Sequence, residues 1–473
     1  MKLPLIKGTR TDLDAEWRDA LPLNMVGFVQ DSAGSPGFLR TLDGLEAFAT
    51  GQGIDRGGYW SDNFQTHVRI SGNKIIELDQ FGNVTVDADI DNDLGGNEQI
   101  KFASSFNSIA FIADGNYQRY LPNDPPGAKL QDRSRPGGAD PLIDLTWIDG
   151  FYIFTDGTNL YNTDILAEQN FDATFAGSDF APDKIVGLEK TTDNKLMVFN
   201  RYTTERFYND PNRTSFPFSR ITNAAIPIGI VGPRAKANIG DGRFFVFGGS
   251  KEKSPSFYIL TNSYTNVATR EIDSIIDTYS DEDLESMLIE YRDTRDQQLI
   301  ICHLPNDVLV YDYTFSQRSG QNIWYRWKSG GETYRAINGV YDPRTVSSAA
   351  SAWIYGDKQD TTIGKLNRTL CTQYGADLQW ECYTPIVKVG RTINEMEVDT
   401  IAGTNTTASP SIFVSTTKDG FAYGPEKIIS TGGQGNYTQR VIARRLGYYP
   451  HYFGLKLRGF SSDVTTLSGC ELR

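Results

Sequence analysis

Apolar residues come in runs of four to six, rich in Phe, Tyr, Ile and Val and broken by Gly, Asn and Asp, and rarely at helical spacing. The runs pair into hairpins: VRISGNKIIEL, AFIADGNYQRYL, FYIFTDGTNLYN, LMVFNRYTTERFY, FFVFGGSKEKSPSFYIL, LIICHLPNDVLVYD and AWIYGDKQDTTIGKL. Taking Ser71, Asp114, Asp156, Asn200, Gly248, His303 and Gly356 as the points where each first strand enters its turn, the spacings are 43, 42, 44, 48, 55 and 53 residues. A repeat of that length holds four short strands. A lone four-stranded sheet bares apolar surface on both faces, so such units stack radially and cover one another. Asp-Gly and Asn-rich turns supply the positive φ that tight hairpins need. The pattern predicts a β-propeller of six or seven blades over residues 57–380.

Beyond residue 380 the rhythm changes. Pieces such as TPIVKVG, NEMEVDTI, SIFVSTT, RVIARRLG, YFGLKLRGF and VTTLSGCELR are joined by polar loops, which predicts a small β-sandwich-like domain over 381–473. The first 56 residues, punctuated by Pro4, Pro22, Pro36 and several Gly, read as an extended arm on the outside that lends a strand to one of the domains. One short helix is expected in TYSDEDLESMLIEY. Ser280 caps it, Asp283 stands three residues on, and Leu284, Met287 and Leu288 share a face. The fold class is all-β.

Charge narrows the function. The 473 residues carry 46 Lys and Arg against 59 Asp and Glu, a net charge of −13. Wrapping nucleic acid needs clustered cations, so the balance argues against it. The acid is uneven: 381–473 holds 10 basic and 8 acidic residues, or +2, which leaves −15 for the first 380. Four dispersed Cys and three scattered His predict neither a disulfide scaffold nor a zinc site, and fit a reducing compartment. No apolar run has the length of a signal peptide or a membrane span.

Candidate chemistry is sparse. In DADIDNDLGGNE, Asp87, Asp89, Asp91, Asp93 and Glu98 fall at positions 1, 3, 5, 7 and 12 of a calcium-binding loop. Asn92 replaces the expected Gly and the flanks read as strands, so a solvated acidic turn is favoured over a calcium site, and no cofactor is expected. The turn STTKDGFAYG has the Asp and Gly of a hairpin turn, and Cys302 reads as core. Arg440, Arg444, Arg445, Lys456 and Arg458 form the one basic concentration. They are interleaved with apolar residues, as an interface rim, a solvated strand face or a phosphate-facing patch would be. Nothing amounts to a catalytic set, and the chain does not read as an enzyme. The competing class is a glycan-binding or glycan-hydrolysing propeller, which needs carboxylates converging on the axis beside an aromatic platform.

The chain resembles the packaged-DNA stabilisation, or tail hub (nozzle), proteins of short-tailed double-stranded DNA phages. The resemblance runs nearly end to end. It is carried by LPLNM (Leu21 to Met25), GFLR and the following Gly within 37–44, Arg56-Gly57, HLPNDVLVYD, Tyr334-Arg335, Gly356-Asp357, STTKDGFAYG, GLKLR and the closing VTTLSGCELR. It implies a structural virion protein, hexameric in the tail below the portal and its adaptor ring. Such a ring helps close the channel after packaging, retains the DNA, and meets the tail needle or plug and the tailspikes. DNA passes through it only transiently. The implied location is the virion tail, with assembly in the host cytoplasm and no membrane-spanning segment.

Overall fold

The seven hairpins picked out by the hydrophobic pattern are the second and third strands, counted from the axis, of seven blades, each of four strands except the sixth, which adds the short strand Glu332–Thr333. The computed structural model describes residues 1–3, 5, 20–32, 35–89, 98–165, 167–178, 180–213, 215–346, 350–403 and 411–473, and the blade count is that of these residues. Their innermost strands, in order, are Asp55–Ser61, Phe102–Ser104, Asp144–Ile148, Ile185–Lys190, Lys236–Asn238, Leu288–Asp293 and Ala336–Tyr341. Blades one to six run outward in sequence order, all antiparallel. Blade seven takes its fourth strand, Gly44–Thr50, from the N-terminal region, where Leu45 lies opposite Leu366 and Ala47 opposite Gly364. The ring is thus closed by a strand more than three hundred residues away in sequence.

The middle strands read as continuous apolar runs because they are buried on both faces. Alternate residues feed different cores. Leu196 and Val198 pack toward blade three with Ile148, Ile153 and Leu160, whereas Met197 and Phe199 pack toward blade five with Phe244 and Val246. Aromatic contacts reinforce these seams, as where Tyr117 of blade two meets Phe154 of blade three at 4.7 Å between ring centres. Tight turns keep the hairpins in register: Asp114 and Gly115 both have positive φ, and a Cβ on Gly115 would come within 2.5 Å of Pro141.

The sandwich is built from both ends of the chain. One sheet has the strand order Met25–Ser32, Ser35–Thr41, Thr466–Leu472, Arg391–Thr400, Ile442–Tyr449, with Lys2–Leu3 also paired to Thr466–Leu472. The facing sheet orders Ala376–Tyr383, Tyr452–Ser461, Ser411–Thr417 and Lys427–Ser430, and connects through Thr372–Gln373 to the closing strand of blade seven. The expected outer arm over 1–56 is therefore corrected: its described strands are integral to both domains. Burial of Met25, Val26, Leu39, Leu42 and Leu45 explains why. The expected boundary at 380/381 falls inside the strand Ala376–Tyr383.

The expected helix forms over Asp281–Glu285 with Ser280 and Asp283 in a capping box. It is shorter than its apolar face predicted, since Leu288 already opens the inner strand of blade six. Two further helices, Arg270–Ile276 and Tyr313–Ser319, lie in segments read as β or loop.

Pro22 to Asn24 forms a seam between blade six and the sandwich. Leu23 N donates to Glu381 O at 2.9 Å and Asn24 N to Arg326 O at 2.9 Å. The buried Asn24 side chain donates to Gln379 O and accepts from Lys328 N, both at 2.8 Å, while its own φ is 53°. Asn24→Leu removes both side-chain bonds and strains a left-handed position, so a loss of about 3 kcal/mol is expected. Urea unfolding should show an earlier midpoint, and limited proteolysis should open the junction first. Wild-type behaviour in both assays would refute this role.

Candidate functional site

The polar interior of the propeller axis is the most elaborate arrangement of charge in the molecule. Asp144 opens the inner strand of blade three and is fully buried. Its carboxylate meets Lys236 Nζ at 2.7 Å, Arg234 Nη1 at 3.3 Å and Lys101 Nζ at 3.5 Å, and accepts from Leu188 N at 2.7 Å. Lys101, just ahead of blade two, also reaches Glu189 of blade four at 2.9 Å and Leu188 O at 2.7 Å. Arg234 Nε donates to Gln99 O at 3.3 Å, and Asn338 of blade seven donates to Gln99 Oε1 at 2.7 Å and Asp55 Oδ1 at 2.8 Å. Some of these bonds skip a blade, as Lys101 to Glu189 does between blades two and four and Asp144 to Lys236 between blades three and five. Burial alone would raise the Asp144 carboxyl, but Lys101, Lys236 and Arg234 outweigh it and hold it well below the usual range. Burial pushes the Lys236 ammonium down to about 8 despite Asp144.

The other axial carboxylates are also committed. Asp55 is held by Arg69 through Nε at 2.7 Å and Nη2 at 3.0 Å. Burial raises its carboxyl against the pull of Arg69. Glu290 accepts from Asn338 N at 2.7 Å and Gly339 N at 2.9 Å and lies 3.0 Å from His303 Nε2. Burial would raise Glu290, but His303 and the two amides hold it below its ordinary value. The same network runs into the closing seam between blades seven and one, whose apolar core is small. There His67 Nδ1 lies 3.3 Å from Asp342, and Arg344 reaches Asp342 at 2.8 Å and Leu78 O at 2.9 Å. Desolvation drives His67 down to about 4, so it is neutral at pH 7.

The basic residues singled out from sequence do not form one patch. Arg440 binds Glu397 at 2.8 and 2.6 Å, and Arg444 lies 3.3 Å from Glu395, on the sheet that carries Ile442–Tyr449. Arg445 sits beside Arg444 at a bulge with φ 56°, and both are exposed. Lys456 pairs with Glu381 at 2.9 Å and Arg458 with Glu426 at 2.5 Å, on the facing sheet. Arg458 also lies 4.6 Å above the Phe413 ring. Apart from Arg445, each cation already has a carboxylate of this chain.

Of the acidic loop, Asp91 and Asp93 lie outside the described residues. Asp87 and Asp89 end the outer strand Val84–Asp89. Glu98 pairs with Arg56 at 3.1 Å and accepts from Asp114 N at 3.2 Å. Among the described residues no three His, Cys, Asp or Glu are grouped as metal ligands. In the STTKDGFAYG turn, Asp419 accepts from Phe421 N at 2.9 Å and Ala422 N at 3.0 Å, as a hairpin turn requires. Cys302 is buried in the core between blades five and six.

Sequence reading missed the axial set. Its signal was an Asp opening an inner strand, as in DRGGYWS and DLTWI. That cue emerges only once the inner strands are known.

A closed propeller whose carboxylates hold its own cations, nested between the two ends of a sandwich, defines a rigid structural module. The chain belongs to the bacteriophage P22 Gp10 family: the β-propeller model of that family matches residues 1–371 and its β-sandwich model matches 379–473. It is 26% identical over 490 residues to the tail hub protein gp10 of Salmonella phage P22, covering 100% of this chain and 99% of that one. Among solved structures, a streptogramin B lyase is 13% identical with a TM-score of 0.44, covering 68% of this chain and 97% of its own. The N-terminal domain of Nup159 is 9% identical with a TM-score of 0.42, covering 74% and 99%.

Proposed function

We infer that this chain is a structural protein of a phage tail hub, carried in the virion tail. The observation that carries the reading is the end-to-end match, in the same domain order, to the P22 tail hub protein. We further propose a hexameric ring below the portal and its adaptor that closes the channel after packaging, retains the DNA and offers surfaces to the needle and tailspikes. Two features support this. Axial side chains of different blades are bonded to one another inside the propeller, so DNA would run between subunits and not through one. The net charge of −13 per chain also disfavours sticking of DNA to a shared wall. The glycan-hydrolase alternative needs uncommitted carboxylates at the axis. Those present are paired with Arg69, Lys101, Lys236 or His303.

Electron microscopy of the full chain, alone and mixed with portal and adaptor rings, tests the proposal. Sixfold density continuous with the adaptor is expected. Failure to join any portal complex would sink it. Calcium is expected to leave the thermal midpoint unchanged, and a rise with excess calcium would revive the acidic-loop site.

A further inference from the structure

One end of the propeller axis opens into a cavity of about 270 Å³, walled by residues of six blades or their leads: Tyr59, Phe102, Glu189, Arg234, Glu290 and Asn338 among them. Lys101 and Lys236 also line it. Three cations, Lys101, Arg234 and Lys236, face two carboxylates, Asp144 and Glu189. Elsewhere on the wall Glu290 has its own partners, His303 Nε2 and the Asn338 and Gly339 amides. Within the cluster bonded to Asp144 and Glu189 the cations therefore outnumber the carboxylates by one, an arrangement that favours an added anion in a largely buried site.

The hydrogen-bond inventory points the same way. Arg234 uses Nε on Gln99 O and Nη1 on Asp144 Oδ1, and its Nη2 has no acceptor among the described residues. Lys236 donates to Asp144 Oδ2 and Pro233 O, which leaves its third proton without one. Lys101 already has three partners, Leu188 O, Glu189 and Asp144. An arginine fork beside an ammonium suits a planar or tetrahedral oxyanion. The volume admits a small molecule and excludes a polymer chain.

We propose that this axial cavity binds a small oxyanion, a free phosphate or carboxylate compound, on the unfilled donors of Arg234 and Lys236. The bound anion takes up the unfilled donors of this cluster and ties blade five to the blades around it. The site is independent of the tail-hub reading.

Inorganic phosphate is the probe. Thermal unfolding of the full chain is followed as phosphate replaces chloride at constant ionic strength. A midpoint that climbs with the logarithm of phosphate concentration is expected. Arg234→Gln should abolish the climb, whereas Arg458→Gln, on the sandwich, should keep it. A flat wild-type response, or one that survives Arg234→Gln, would overturn the proposal. Should Arg234→Gln fail to fold, a wild-type structure determined with tungstate decides the matter. Density within hydrogen-bond reach of Arg234 Nη2 supports the site, and density confined to surface residues refutes it.

Discussion

Asp144→Asn is expected to lower the stability of the protein by about 3–5 kcal/mol, the usual consequence of removing one partner from a buried ionic cluster. The amide cannot balance Lys101, Lys236 and Arg234, and its NH2 would face their protons. Urea unfolding at pH 7 should give a clearly earlier midpoint. Adding Lys236→Met should recover part of the loss, because the two sites share one interaction. Acidity provides an independent check. Asp144 has a folded-state pKa below its ordinary 3.8, so its stabilisation is full above that value and is lost as pH falls toward the depressed one. The variant should lack this part of the acid limb. Equal stability of variant and parent at pH 7 would mean that the axial charges are not coupled as their distances imply.

Asp312→Asn should act in the opposite direction. Asp312 is buried, accepts from Phe315 N at 2.8 Å as the cap of the helix Tyr313–Ser319, and receives the Tyr325 hydroxyl at 3.1 Å. That hydroxyl in turn accepts from Gly27 N of the sandwich at 2.8 Å. Burial pushes the Asp312 carboxyl up to about 7 because no cation offsets the desolvation. A carboxyl raised in the folded state contributes fully below its unfolded value of 3.8, and that contribution is lost as pH rises through about 7. Asn mimics the protonated acid and does not titrate. The variant should match the parent near pH 4 and exceed it at pH 8, by up to about 4 kcal/mol if the whole shift is realised. Measuring both proteins across that range isolates the residue. A variant no more stable than the parent at pH 8 would show that the ionised carboxylate is accommodated.

How far the sequence disclosed this architecture depended on how local each signal was. The middle hairpins were legible because strands buried on both faces must be apolar throughout, as in Leu196–Asn200 and Val308–Asp312. Outer strands such as Phe218–Arg220 and Tyr264–Asn266 are only three residues long, too short to carry a pattern. The repeat pattern leaves six or seven blades open because its last two spacings, 55 and 53 residues, are long and irregular. The N-terminal arm reads as lending a strand to one domain where it supplies strands to both: Leu39 lies opposite Leu467, a pairing no local window can reveal. Sequence shows the basic residues of the sandwich but not their neutralisation, since Glu395, Glu397 and Glu381 lie on other strands and Glu426 in a loop. The axial cluster was missed because its members, Lys101, Asp144, Glu189, Arg234 and Lys236, are scattered across four blades or their leads.

The closure of both domains by the first strands of the chain sets a timetable for synthesis. Met25–Ser32 and Ser35–Thr41 complete a sheet whose other strands end at Leu472, and Gly44–Thr50 waits for Thr362–Asn367. A growing polypeptide can stack its first blades as they emerge, but it cannot seal the ring until Thr362–Asn367 is made or finish the sandwich until Thr466–Leu472 is. A truncated product therefore keeps unpaired strand edges at both ends of its fold. Each copy can thus take its shape only when its chain has been made through to the strands that pair with its start.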